Sequence, residues 1–168
     1  MEHESLAPSP WVLHWAPLVT HGTVLDVACG GGRHSRLFLK RNLKVVAVDR
    51  EAQDIPGARF VQADLEDGSP WPLPGELFEA VVVTNYLNRG ILSQIQASLK
   101  PDGVLIYETF MLGNERFGKP SNPAFLLRPG ELLECFRGLD VKGFEEGAVT
   151  APKPAMIQRL CAVRTGKG

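Results

Sequence analysis

Several features that mark particular classes of protein are missing from this chain of 168 residues. No apolar run reaches the roughly 18 residues of a membrane-spanning helix, and the first residues are neither basic nor apolar. We therefore expect neither a membrane span nor a signal peptide. The formal net charge is only −1 and there is no long basic run, so the sequence favours no nucleic-acid partner.

Cysteine and histidine are also scarce, with three and four residues respectively. Cys29, Cys135 and Cys161 lie far apart and are odd in number, which is typical of reduced thiols in a cytoplasmic protein. None of the histidines is spaced from another histidine or from a cysteine as metal ligands are. The sequence therefore predicts no metal site.

The pattern of apolar residues predicts one α/β domain over residues 1–168, with residues 1–7 disordered or loosely packed. Apolar strand segments alternate with helical segments five times, which is typical of a doubly wound, mostly parallel, Rossmann-like sheet. We expect about seven strands. The last two candidates, residues 139–144 and 156–163, leave no room for a helix between them, so they predict a hairpin with an antiparallel C-terminal strand.

The most informative segment runs from Val24 to His34 and reads VLDVACGGGRH. It predicts an apolar strand that carries one acid, Asp26, followed by a glycine turn and the first turn of a helix. Three consecutive glycines allow positive φ angles and close approach of a ligand to the backbone. Free N–H groups at the helix start complete the pattern of a nucleotide-type site.

Two ligand classes use such a site, and the charge of Asp26 separates them. Gly30, Gly32 and Ser35 nearly match the dinucleotide fingerprint, but a carboxylate this close would repel a pyrophosphate. S-adenosylmethionine has no phosphate and carries an amino group and a sulfonium, so Asp26 attracts it. Asp49 follows Gly30 by nineteen residues and ends an apolar run, where an acid can accept both hydroxyls of a ribose.

The segment resembles motif I of the class I S-adenosylmethionine-dependent methyltransferases, with Ala28 where many members have glycine. Ala63-Asp64-Leu65 and Leu99-Lys100-Pro101-Asp102-Gly103 are similar to two later motifs, and the resemblance covers about residues 10–165. It implies S-adenosylmethionine as cofactor, with Asp49 on the ribose and Asp64 on the adenine. We also assign Arg33 to the cofactor site. A cation in the first turn of a helix is unfavourable unless an anion, such as the cofactor's carboxylate, lies near it. A surface ion pair is the alternative explanation for an arginine at this position. The assigned cofactor contacts are Asp26, Ala28, Gly30, Gly32, Arg33, Asp49, Asp64, Leu65 and Asn85.

For the methyl acceptor we assign Tyr86 and Glu108 as catalytic residues and Arg89, Phe110 and Asn114 as substrate contacts. Purely structural roles are the alternative: a core aromatic for Tyr86, a surface position for Arg89, a hydrogen bond to the following loop for Glu108. The loop 110–128 lacks periodicity, and we expect it to fold over the site as a lid that excludes water.

The sequence therefore predicts a cytoplasmic S-adenosylmethionine-dependent methyltransferase acting on a small nucleophile, as a monomer or homodimer. The segment 108–123 resembles that of small bacterial methyltransferases related to the tellurite-resistance group. Two alternatives stay open: a subunit that binds the cofactor without catalysis, and a nicotinamide-dependent oxidoreductase, for which no proton donor is evident. Asn85-Tyr86-Leu87-Asn88 departs from the Asn-Pro-Pro-Tyr pattern of enzymes that methylate nucleic-acid bases, which disfavours that reaction.

Overall fold

A computed structural model describes residues 7–166, and its central feature is a seven-stranded sheet with the order β3-β2-β1-β4-β5-β7-β6. The first five strands run parallel, and β7 runs antiparallel to both of its neighbours. This confirms the predicted mostly parallel sheet with an antiparallel C-terminal strand. The strands are β1 Thr23–Val27, β2 Lys44–Asp49, β3 Arg59–Gln62, β4 Phe78–Thr84, β5 Leu99–Phe110, β6 Asp140–Val149 and β7 Ala155–Val163. The predicted disorder of the N-terminus concerns residues that, except for Ala7, lie outside the described part.

Four short helices cover the sheet: α1 Pro10–Trp15, α2 Arg33–Lys40, α3 Leu92–Ala97 and α4 Glu131–Cys135. The expected fivefold alternation of strand and helix is wrong in one respect, because segments 50–58 and 63–77 connect their strands without any helix. The second segment contains three prolines, which lack the N–H that a helix interior needs. Among residues 7–166, no helix is long and apolar enough to cross a membrane.

The side chains of β1 alternate between two apolar layers. Leu25 and Val27 pack in the layer under α3 and α4, whereas Val24 packs in the layer under α1 and α2. Because successive side chains of a strand point to opposite faces, Asp26 lies on the same face as Val24, next to α2. Both faces are covered, which explains why β1, β2 and β4 are nearly continuous apolar runs.

The apolar run Val104–Thr109 predicts the fifth strand, but β5 begins five residues earlier, at Leu99. The Lys100–Gly103 turn joins the strand because the Asp102 N–H donates to the Arg164 carbonyl and the Arg164 N–H donates to the Gly103 carbonyl. Asp102 adopts a φ of +68° there. This irregularity lies at the edge of the sheet opposite to the functional site described next.

Candidate functional site

The carboxyl ends of the parallel strands form one edge of the sheet. Strand β1 lies between β2 and β4, so the strand order reverses beside it, and ligand crevices of open α/β sheets lie at such points. With neighbouring strands about 4.8 Å apart, the ends of β3 through β5 span about 20 Å. The residues at or just after these ends are, in spatial order, Asp64, Asp49, Ala28, Asn85 and Phe110.

The glycine turn after β1 leaves its outer side open. Gly30 has a φ of +54°, and a Cβ added there would meet no atom within 4 Å. Gly32, with a φ of +89°, precedes α2, and a Cβ there would meet the Ile55 side chain at 2.8 Å. Ala28 also has a positive φ, +54°, which is unfavourable for a residue with a Cβ. The turn therefore combines a strained backbone with room for a ligand, as functional sites often do.

Asp26 lies almost completely buried beneath this turn, with 2% of its surface exposed. Its Oδ2 accepts a hydrogen bond of 2.7 Å from the Ser35 hydroxyl on α2. Burial nevertheless dominates and raises the pKa of this carboxyl from 3.8 to about 6. A buried carboxylate without a positively charged contact partner is costly, so the site favours a cationic group near Asp26.

Asp49 connects the glycine turn to the end of β2. Its Oδ2 accepts the Gly30 N–H at 2.8 Å and its Oδ1 accepts the Glu51 N–H at 2.9 Å. A carboxylate offers about four acceptor positions, so each oxygen retains capacity for one hydroxyl of a diol. These two hydrogen bonds hold the Asp49 carboxylate against the glycine turn, and its contact with a ribose stays a prediction.

The segment after β3 forms the next part of the edge. Asp64 is half-buried and its Oδ1 accepts the Glu66 N–H at 2.9 Å. The Asn88 side chain donates to the Leu65 carbonyl at 2.8 Å, which ties this turn to the segment after β4. The backbone N–H of Leu65 and the second carboxylate oxygen of Asp64 have no hydrogen-bond partner among residues 7–166.

The residues before α1 cover the α2 side of the edge. Arg33 donates from Nη1 to the Ala7 carbonyl at 3.0 Å, and the Ser9 N–H donates to His34 Nε2 at 3.0 Å. Because a backbone N–H can only donate, the proton of the neutral imidazole lies on Nδ1, where the Thr84 hydroxyl is 3.4 Å away. Burial lowers the pKa of His34 to about 3, so His34 is a neutral wall residue.

Glu108 is a correction to the sequence prediction, because its side chain does not enter the crevice. It is buried on the α1 face, where it accepts a hydrogen bond of 2.7 Å from the Ser9 hydroxyl and pairs with Arg159. Arg159 is the antiparallel partner of Glu108 in β7. Since Tyr107 and Thr109 point to the other face, a crevice position would have required a one-residue shift of the strand.

The side chains of Arg89 and of Asn114 both hold the loop 110–128, which contains Asn114 and which we call the roof loop. The Arg89 guanidinium forms a two-point pair with the buried Glu131, at 2.6 and 2.9 Å, and donates to the carbonyls of Ala124 and Leu126. The Asn114 amide donates to the Pro120 carbonyl and accepts the Met156 N–H. These hydrogen bonds fix the roof loop and leave neither predicted substrate contact free for a ligand.

A cavity of about 250 Å³ lies under the roof loop, beside the ends of β4 and β5. Phe110 lines this cavity, and its contact with a substrate stays a prediction; Asn85 adopts a φ of +55° at the cavity wall. Tyr86 also lines it; burial, together with the nearby carboxylates of Glu66 and Asp64, raises the pKa of its phenol to about 12. Tyr86 is therefore a neutral hydrogen-bonding group at physiological pH. The complete lining is Glu66, Asn85, Tyr86, Leu87, Thr109, Phe110, Pro120 and Phe125.

Sequence reasoning missed two residues of this edge. Ser35 holds Asp26 across the strand–helix turn; its only sequence signal was a match to the last position of the dinucleotide fingerprint. Glu66 forms a wall of the cavity, and the only signal was its position directly after Ala63-Asp64-Leu65. Whether a residue of the following loop turns toward the crevice is decided by the tertiary structure.

The sequence profile of the family described as "Methyltransferase domain" matches residues 3–125. No curated protein sequence matches the chain. Among solved structures, TehB from Haemophilus influenzae superposes with a TM-score of 0.79 at 16% identity, over 98% of this chain and 65% of TehB. The chain thus spans less than two thirds of the TehB chain.

Two further structures show the same fold. A protein of Methanosarcina mazei described as a SAM-dependent methyltransferase has a TM-score of 0.70 at 14% identity, covering 95% of this chain and 99% of its own. A 1,6-didemethyltoxoflavin-N1-methyltransferase of Burkholderia thailandensis, with bound 1,6-didemethyltoxoflavin and S-adenosylhomocysteine, has a TM-score of 0.66 at 22% identity, over 92% of this chain and 76% of its own.

Proposed function

The chain belongs to the methyltransferase-domain family, and on this premise we propose that it transfers a methyl group from S-adenosylmethionine to a small-molecule nucleophile. The family match covers the glycine turn and all of the strand ends that form the crevice. The observation that carries the proposal is the row of acids at neighbouring strand ends, Asp26, Asp49 and Asp64, around an open glycine turn.

The residues of this row fit the chemistry of the cofactor. Asp49 retains acceptor capacity for two ribose hydroxyls, and Asp64 with the Leu65 N–H can recognise an adenine edge. Asp26 supplies negative charge for the cationic methionine part, and Gly30 leaves open space beside it. Bound there, the cofactor supplies a methyl group on a positively charged sulfur, which is an activated donor.

The contribution of the protein is then mainly geometric. In-line displacement needs the acceptor atom on the side opposite the leaving sulfur, and positioning alone can give effective molarities of about 10⁵ M or more. The side chains that could act as a base are poorly suited to it: His34 has a pKa of about 3, that of Tyr86 is about 12, and Glu108 is paired with Arg159. We therefore propose positioning and water exclusion as the source of catalysis.

The roof loop is located where it can exclude water from the cavity. Its ends are joined by a bridge between Met111 and Leu127, and Phe110, Pro120 and Phe125 form the cavity side. We propose that it acts as a lid that excludes water when an acceptor binds. A cavity of about 250 Å³ suits a small molecule rather than a protein or nucleic-acid segment.

The three free cysteines support a cytoplasmic location, and we propose no metal requirement. The nicotinamide alternative is disfavoured by the unpaired charge of Asp26 beside the glycine turn, where a pyrophosphate would bind.

Calorimetric titration with S-adenosylmethionine, S-adenosylhomocysteine and NAD tests the proposal. We expect both sulfur compounds to bind and NAD not to bind. Asp49→Ala should weaken S-adenosylhomocysteine binding by roughly 1.5–3 kcal/mol through lost charge-assisted hydrogen bonds. Asp54→Ala, at an exposed position on the same segment, is the matched control and should leave affinity unchanged.

Binding of NAD alone would overturn the proposal. Binding of S-adenosylmethionine without formation of S-adenosylhomocysteine, across a panel of small amines, thiols, carboxylates and metalloid oxyanions, would instead favour a subunit that binds the cofactor without catalysis.

A further inference from the structure

The walls of the cavity under the roof loop are aromatic and carry one charge, which is negative. Three rings, those of Tyr86, Phe110 and Phe125, line it together with the carboxylate of Glu66. Within residues 7–166, no lysine, arginine or histidine lines the cavity. Glu66 also lies within 4 Å of no basic group in that part of the chain, so its charge is available to a ligand.

Two arginines of the surrounding segments are engaged elsewhere, and Lys119, next to the lining residue Pro120, is exposed and outside the lining. Arg89 directs its guanidinium to Glu131 and to the carbonyls of Ala124 and Leu126. Arg116 lies over the ring of Phe117, 5.6 Å from its centroid and outside the cavity lining. An anionic acceptor would therefore meet the exposed Glu66 carboxylate at the cavity wall and no positive charge among the lining residues, so like charges would repel.

The same cavity walls favour a ligand that carries a positively charged ammonium group. Ring faces attract an ammonium group, and a carboxylate at the rim pairs with it. Two further wall groups can accept its hydrogens: the Asn85 amide, whose side chain has no hydrogen bond within residues 7–166, and the Tyr86 hydroxyl. A thiol or hydroxyl acceptor would have to become anionic to attack, and the carboxylate at the wall disfavours that state.

Resting on the proposed function, we propose that the methyl acceptor is a small amine, whose ammonium group is recognised by Glu66 and by the rings of Tyr86, Phe110 and Phe125. The ammonium first loses one proton to water. The nitrogen lone pair then forms the N–CH₃ bond as the S–CH₃ bond breaks. The sulfonium becomes a neutral thioether, and its positive charge passes to the methylated ammonium.

Three probes of equal shape and different charge test this assignment: benzylamine, benzyl alcohol and benzoate. Their binding is measured by nuclear magnetic resonance titration of the protein saturated with S-adenosylhomocysteine. We expect benzylamine to bind about fivefold to tenfold more tightly than benzoate, with benzyl alcohol between them. Tighter or equal binding of benzoate would overturn the proposal.

A pair of variants shows whether contact with Glu66 causes the preference. Glu66→Gln should remove most of the difference between benzylamine and benzoate, whereas Asp67→Asn, which deletes a neighbouring charge outside the cavity lining, should keep it. An unchanged preference in Glu66→Gln would refute the role of this carboxylate. Calorimetry with S-adenosylhomocysteine on the same samples separates the two proposals. If that ligand binds and the amine preference is missing, only the acceptor assignment fails; if it does not bind, the proposed function fails.

Discussion

Replacing Asp26 by asparagine should stabilise the protein and weaken its cofactor binding at the same time. The substitution keeps the shape of the side chain and an oxygen that can accept the Ser35 hydroxyl, but it removes the buried charge. The pKa of Asp26 rises from 3.8 to about 6 on folding, and each pKa unit corresponds to about 1.4 kcal/mol. The ionised carboxylate therefore costs the free protein about 3 kcal/mol, and Asp26→Asn should recover up to that amount.

The gain in stability of Asp26→Asn over the wild type must increase with pH. Because the pKa is higher in the folded state, the folded protein binds more protons than the unfolded chain between about pH 4 and pH 6. The contribution of Asp26 to stability is thus greatest below this window and is lost as the pH rises through it. The difference between Asp26→Asn and the wild type should be full at pH 7.5 and small at pH 4.

Urea unfolding of both proteins at the two pH values measures this difference directly, since other titrating groups are common to both. Asp54→Asn, at an exposed position, is the control and should show no pH-dependent difference. Equal stability of Asp26→Asn and wild type at pH 7.5, or a gain of the same size at pH 4, would refute the assigned cost of the charge.

Cofactor affinity should change in the opposite sense. Loss of one charge-assisted contact corresponds to about 1.5–3 kcal/mol, so S-adenosylhomocysteine should bind Asp26→Asn about tenfold to 100-fold more weakly. In the wild type, affinity should fall as the pH drops below about 6, where the free carboxyl becomes protonated. An unchanged calorimetric affinity in the variant would show that Asp26 does not face the cationic part of the ligand.

Three further substitutions test the scaffold of the site. Arg89→Ala leaves the buried Glu131 without its main partner and should destabilise the fold by about 3 kcal/mol in urea, whereas Arg137→Ala, from an exposed pair, should change little. Burial acts to raise the pKa of Glu131, but hydrogen bonds from Arg89 and the Arg128 N–H lower it below its ordinary value, so Glu131 is ionised at pH 7; equal destabilisation by Arg89→Ala and Arg137→Ala there would contradict the pairing. Ala28→Gly should raise stability by roughly 0.5–1 kcal/mol because it relieves a φ of +54°, and a clear loss would refute the strain. Asn114→Ala should make the roof loop more sensitive to limited proteolysis while α2 stays protected; unchanged cleavage would mean that the two Asn114 hydrogen bonds do not hold it.

The sheet and the glycine turn after β1 could be predicted because they depend on local patterns. Strands β1 to β4 could be recognised because a strand covered on both faces is continuously apolar, whereas the start of β5 and the end of β6 were each missed by five residues. The glycine turn was recognised from three consecutive glycines, and two of them, Gly30 and Gly32, adopt the positive φ angles that such a turn needs. The expected fivefold alternation fails between β2 and β4, where segments 50–58 and 63–77 hold no helix and the second contains three prolines.

The acceptor side was much less accessible from the sequence. Glu108 lies near the end of a buried strand, as Asp49 does, but the alternation of side chains along β5 places it on the α1 face, paired with Arg159. Arg89 and Asn114 are polar residues near the crevice, and both are used to hold the roof loop. No local pattern distinguishes a side chain that binds a ligand from one that binds a loop carbonyl.

What the sequence by itself determined is the methyl-donor edge: an acid, a glycine turn and further acids at successive strand ends, all set by residue type and spacing along the chain. Only the tertiary structure decided the acceptor edge, because its cavity is built from β4, β5, the turn after β3 and a returning loop. The charge of that cavity depends on which polar groups already form hydrogen bonds or ion pairs within the protein. These pairs join residues far apart in the chain.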